Sequence, residues 1–123
     1  MIKIVIGGQI NKSELADLVK TVGLDKVSVT VKNDLEAAMD IKTGNVDYYL
    51  GACNTGGGGA LAMAIALAGA EKCATVSMPG NVFPDDQIIA EVDAGKVAFG
   101  FTAQHMEQVV PVIINAIFSK EGV

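Results

Sequence analysis

The chain has 123 residues, half of them apolar, a net charge of −5, and nine basic residues that are all lysine. That is enough for one domain, read as spanning 1–123, with a full core. The acidic balance excludes counterion-driven binding to nucleic acid, and the missing arginine removes the planar fork that grips phosphate.

Two cysteines and one histidine make neither a disulfide framework nor a zinc set. The amino-terminal "MIKIVIGG" lacks the length and cleavage pattern of a signal peptide. The longest apolar run, 60–68, falls far short of the roughly 20 residues that span a bilayer. The expectation is a cytoplasmic protein with no metal, no cofactor and no membrane partner. Its high apolar content points to a homo-oligomer.

In chain order, "IKIVI" (2–6) reads as a strand, and "NKSE" then opens a helix. There Asn11 and Glu14 have capping-box spacing, and Leu15, Leu18, Val19 and Val22 form an apolar stripe. "KVSVTV" (26–31) alternates apolar and polar, as a half-exposed edge strand does. "NDLE" repeats the capping device at Asn33 and Glu36, and Gly44 ends that helix.

"VDYYL" (46–50) is the third strand, followed by "GACNTGGGGALAMAIALAGA", in which a cysteine and four glycines precede an alanine-rich helix. "CATVS" (73–77) reads as a fourth strand, and Pro84, Asp85 and Asp86 start a helix that Gly95 closes. "VAFGF" (97–101) is the fifth strand. The last helix covers about 103–120, with Pro111 marking either a kink or a fresh start.

Strand and helix in alternation predict an α/β fold: a Rossmann-like or flavodoxin-like three-layer sandwich. Its five-stranded parallel sheet has the expected order 2-1-3-4-5, with helices on both faces. In that order the winding reverses between the first and third strands, and ligands bind beyond their carboxyl ends. The loops "GGQINK" and "ACNTGGGG" fall there.

The candidate catalytic residues are Cys53, Thr55 and His105. The candidate ligand-binding residues are Gln9, Asn11, Asn54, Gly56, Gly57, Gly58, Gly59, Asn81 and Thr102. Glycine N–H groups ahead of a helix form a nest for an anion or a developing oxyanion, and the same field favours a cysteine thiolate. Plainer readings stand beside these. The glycines also permit tight packing, Asn11 and Thr102 have helix-cap positions, and His105 has that of a surface or first-turn residue.

No Gly-Lys-Ser/Thr follows the glycines, which excludes a Walker A loop. No acid ends the fourth strand to hold a ribose, which excludes a dinucleotide fingerprint. The residues describe a protein that binds a small metabolite, anionic or carbonyl-bearing, with Cys53 as a proton-transfer base. The alternative is a non-catalytic binding or regulatory subunit that works through assembly.

"IKTGNVDYYLGACNTGGGGALAMAIA" resembles the central segment of type B ribose-5-phosphate isomerases and the related galactose-6-phosphate isomerase subunits. Gly44 and Asp47 match the family's lead-in, Cys53 its cysteine, Thr55 its threonine, and Gly56 and Gly58 its glycines, while Asn54 replaces a glycine. The resemblance implies a five-stranded parallel sheet in a homodimer, a cysteine that moves a proton between adjacent carbons, and a loop that holds the enediolate. Where that family carries Asp-His after its first strand, this chain has Gln9 and Ile10. The family's phosphate-binding arginines have no counterpart. Over the whole chain the pattern is similar to a small bacterial family of unknown function typified by YhfU, which implies no activity.

Overall fold

The computed structural model describes residues 1–55 and 57–123. In chain order the strands are β1 (Ile2–Gly8), β2 (Val27–Val31), β3 (Tyr48–Cys53), β4 (Cys73–Thr75), β5 (Ser77–Met78), β6 (Asn81–Val82) and β7 (Ala98–Thr102). The helices are α1 (Lys12–Gly23), α2 (Asp34–Thr43), α3 (Gly57–Ala60), α4 (Ala62–Ala68), α5 (Asp85–Asp93) and α6 (Met106–Glu121). Five strands form one parallel sheet in the order β2-β1-β3-β7-β4, and β5 with β6 makes a small antiparallel hairpin.

The α/β class, the parallel sheet and the edge position of β2 are as the sequence predicts. The order of the last two strands is corrected: β7 lies between β3 and β4 instead of following β4. Length and burial explain it. Each residue of β7 is buried, and its Phe99 and Phe101, fully inside, contribute about 1.5–3 kcal/mol each through burial. Such a strand belongs in the interior of the sheet. The fourth strand lasts only Cys73–Thr75 before the chain turns into the hairpin, and a short strand suits an edge.

Two apolar layers cover the sheet. On one face Ile4, Ile6, Leu50, Phe99 and Phe101 pack with α1, α5 and α6 through residues such as Leu15, Val92 and Ile113. On the other, Val5, Tyr49 and Ala98 meet Ala37 and Ala38 of α2, Leu61 between α3 and α4, and Ala64 of α4. The small side chains of this second layer let its helices sit close to the sheet.

Local signals settle most of the helix ends. Asn33 caps α2 as expected, its Oδ1 accepting the Glu36 N–H at 2.8 Å, and Gly44 closes it at φ 77°. Asn11 does not cap α1. Its backbone is left-handed at φ 56°, and its side-chain amide donates to the Glu14 carboxylate. A capping side chain needs an extended backbone, so the left-handed turn redirects it. Helix α6 is continuous from Met106 to Glu121 with Pro111 inside it, so the proline starts no new helix.

The glycine stretch is also corrected in form. Gly57–Gly59 do not lead into an alanine helix but form the helical turn α3 themselves. The chain breaks at Leu61, whose side chain is buried, before α4 begins. The expectation for Gly56 lies outside the described residues.

Candidate active-site edge

Alternation along the strands puts Gly7, Gly51 and Gly100 on one face, and register makes them neighbours across β1, β3 and β7. Three absent side chains in a row leave a trough, and the ring of Tyr49 lies along it. A Cβ added at Gly7 would sit 2.5 Å from that ring, and one at Gly51 3.1 Å from it. The ring thereby reaches the carboxyl edge of the sheet. There Tyr49 Oη accepts the Gly8 N–H at 3.0 Å and donates to the Ala60 carbonyl at 2.5 Å. One buried hydroxyl thus ties α3 to the end of β1. Burial first, then the charge of Asp34, pushes the phenol well above its ordinary value.

Cys53 ends β3 and Thr102 ends β7, in register, so their side chains share the face below α3. Cys53 is buried, and its Sγ lies 3.5 Å from Thr55 Oγ1. Burial alone raises its pKa. The Thr55 hydroxyl and the backbone N–H groups of Thr55, Ala60 and Gly59 outweigh that and bring the thiol below its ordinary value. Cys73 behaves in the opposite way: burial raises it, and its Sγ donates to the Gly69 carbonyl at 3.4 Å.

Three buried polar atoms at this edge have no hydrogen-bond partner among the described residues: Thr102 Oγ1, His105 Nδ1 and Asp34 Oδ1. Buried polar atoms are nearly always satisfied, so such orphans call for a ligand or water. Thr102 is only 3% exposed, and its own N–H is held by Ser77 Oγ at 2.9 Å. It makes no side-chain cap to the turn at Ala103–His105, which leaves its hydroxyl for another role.

The structure brings Gln9, Cys53, Thr55, Gly59 and Thr102 together. The backbone N–H of Gln9 donates to Ala52 O at 2.9 Å, and a Cβ at Gly59 would lie 2.8 Å from Gln9 Oε1. Asn54, Thr55 and Gly58 are exposed, and a Cβ at Gly58 would meet nothing within 4 Å. His105 follows Thr102 on the same edge, half-buried. Asn11 is turned to Glu14, and Asn81 is exposed on β6. Phe83, half-buried, packs against the core.

Sequence reasoning missed Asp34, Tyr49 and Ser77 at this edge. The loop after β2 reaches the same end of the sheet, which was the available signal for Asp34. Nothing local marks the other two. A concavity of about 440 Å³ lies at the opposite end of the sheet, lined by residues including Lys42, Asp47, Leu67 and Lys72. Among the described residues, no three His, Cys, Asp or Glu side chains gather to hold a metal ion, and no helix is long and apolar enough to cross a membrane.

A family model described as "Protein of unknown function DUF2620" matches residues 2–117. Relatives called "Uncharacterized protein YhfU", from Escherichia coli K12 and Shigella flexneri, are 48% identical over 87 residues, covering 71% of this chain and 74% of theirs. Among solved structures, type B ribose 5-phosphate isomerase from Trypanosoma brucei superposes with a TM-score of 0.66 at 14% identity. The match covers 95% of this chain and 85% of the trypanosomal one. At that identity the likeness establishes a shared fold, the one expected from the Cys–Gly segment.

Proposed function

The chain belongs to the DUF2620 family, and from that premise we propose that its carboxyl edge binds a small anionic or carbonyl-bearing metabolite, with Cys53 as the proton-transfer base. One observation carries the reading: the buried Cys53 Sγ lies 3.5 Å from Thr55 Oγ1, where that hydroxyl and N–H groups of the glycine turn favour the thiolate against burial. A helix-turn environment of this kind stabilises thiolates in reactive cysteines. The chemistry balances without a redox partner. The thiolate takes the proton from a hydroxyl-bearing carbon next to a carbonyl, and the C–H pair forms a C=C bond as the carbonyl π pair moves onto oxygen. The hydroxyl proton passes to that oxygen, and the thiol returns its proton to the former carbonyl carbon, leaving the carbonyl on the first carbon.

N–H groups of Gly57 and Gly58 face the developing oxyanion in this reading, while that of Gly59 serves Cys53, and such oxyanion donors are worth about 3–4 kcal/mol each in a transition state. Thr102, Gln9 and Asn54 supply neutral hydrogen bonds, and His105 is the acid partner. Asn11 and Asn81 would contribute only from the rim. The isomerase in Trypanosoma brucei with this fold supports proton transfer as the reaction class.

A second reading, a non-catalytic subunit acting through a homo-oligomer, draws support from exposed apolar side chains on neighbouring helices. These are Leu35 and Met39 on α2 and Ile65 on α4. Alkylation of Cys53 followed across pH by mass spectrometry, with Cys73 as internal control, decides between them. The first reading requires an apparent pKa well below about 8.5 and protection by bound metabolite. An ordinary, unprotected thiol leaves the subunit reading.

A further inference from the structure

Resting on the reading of this edge as a metabolite site, we propose that its ligand is an uncharged hydroxy-carbonyl compound, a small sugar or ketol without phosphate. In this proposal Asp34 accepts a hydrogen bond from one of the ligand's hydroxyls. Asp34 opens α2, on the face of the sheet that carries Tyr49, Cys53 and the glycine turn. Its Oδ1 is buried and has no hydrogen-bond partner among the described residues. An ionised carboxylate only accepts, so a group that satisfies it must donate.

The buried Thr102 Oγ1, in register with Cys53, is a second polar atom with no hydrogen-bond partner among the described residues. The Gly57 and Gly58 N–H groups open the turn α3, and first-turn donors of this kind suit an acceptor. A ligand with both hydroxyl donors and a carbonyl acceptor meets all these requirements at once.

The cations speak against phosphate. Two lysines stand at this end of the sheet, and both are engaged. Lys32 Nζ pairs with Asp40 at 2.5 Å, and Lys12 Nζ donates to the Lys32 carbonyl at 2.9 Å. Both lie beside β2, two strands away from Cys53 in the order β2-β1-β3. The chain has no arginine to fork a phosphate. A phosphate at this edge would therefore find no counter-charge beside it, while the charge of Asp34, which reaches Tyr49, would repel it.

The test is a ¹H–¹⁵N titration of the full chain with dihydroxyacetone, D-ribose and D-fructose, then with their phosphate esters and inorganic phosphate. The uncharged compounds are expected to shift the amides of Gly57–Gly59, Thr102 and Asp34. The esters should bind more weakly by about tenfold or more, the scale of one charged hydrogen bond. Asp34→Asn should lose about tenfold in affinity for the uncharged compounds while Glu36→Gln, on the same helical turn, changes nothing. Esters or phosphate binding as tightly, no shift with any compound, or an Asp34→Asn protein that binds normally would each overturn the proposal. Uncharged ligands binding beside a Cys53 of ordinary reactivity would instead sink the proton-transfer reading and leave this one standing.

Discussion

Replacing Tyr49 by phenylalanine removes one oxygen and leaves the ring lying over Gly7 and Gly51. Two buried backbone groups lose their partner: the Gly8 N–H at 3.0 Å and the Ala60 carbonyl at 2.5 Å. A buried polar group left unsatisfied costs about 1–3 kcal/mol, so the pair sets a range of about 2–6 kcal/mol. Both groups sit at the end of the sheet, where small shifts can admit water, which favours the lower part of the range, about 3 kcal/mol. Against a total stability of about 5–15 kcal/mol this is large. It corresponds to a fall in Tm of about 10 °C for a chain of this size.

Urea unfolding followed by circular dichroism measures that loss. Cys53 alkylation measures its consequence, because α3 carries the Gly59 and Ala60 N–H groups that favour the thiolate. Loosening α3 should raise the apparent pKa of Cys53 toward the free-thiol value. A Tyr49→Phe protein within about 0.5 kcal/mol of the parent would refute the role of the hydroxyl as a strut, since that is the scatter of neutral substitutions. A destabilised protein with an unchanged Cys53 profile would refute the link between strut and thiol.

Gly58→Ala meets open space inside a helical turn, so it should hold or raise stability by up to about 1 kcal/mol, read by urea midpoint. Its methyl group would crowd a bound metabolite, and ligand affinity should fall. Thr102→Val removes an orphaned buried hydroxyl and should be neutral or stabilising by up to about 2 kcal/mol in the same assay, again with weaker binding. A clear loss of stability would show that the hydroxyl is satisfied.

The two cysteines should respond to pH with opposite signs. Cys53, lowered in the fold, contributes stability that is complete above the unfolded value of about 8.5 and is lost as pH falls through the folded value. Cys73, raised by burial, contributes below about 8.5 and loses its contribution as pH rises through its folded value. Urea midpoints of Cys53→Ala and Cys73→Ala from pH 7 to 10, each subtracted from the parent, should therefore diverge in opposite directions.

Much of this molecule is written locally. The apolar stripe of α1, the Asn33 cap, Gly44 and Gly95 mark helices by spacings of a few residues, because helical hydrogen bonds and capping are short-range. The alternation in "KVSVTV" marked an edge strand, since exposure of one face is visible in the side chains themselves. The switch-point rule placed the Cys53 loop beyond the carboxyl end of the third strand, and Cys53 does end β3.

What remained hidden was non-local. Nothing near β7 says that it inserts between β3 and β4, because strand pairing is decided by which complete sheet buries Phe99 and Phe101. Asn11 was misread because its left-handed backbone is set by how β1 leaves the sheet beside Ala52. Gly7, Gly51 and Gly100 are scattered in sequence and become one trough only when register aligns them. Tyr49, looking like a core aromatic, turns into the strut of the glycine turn only because that trough exists. The order β2-β1-β3 likewise places Asp34 and the Cys53 loop at the same end of the sheet. The sequence by itself determined most of the elements and marked Cys53, Thr55 and Thr102 at the candidate edge, through interactions between near neighbours in the chain. Only the tertiary structure decided which groups face one another, because register and strand order are properties of the whole sheet.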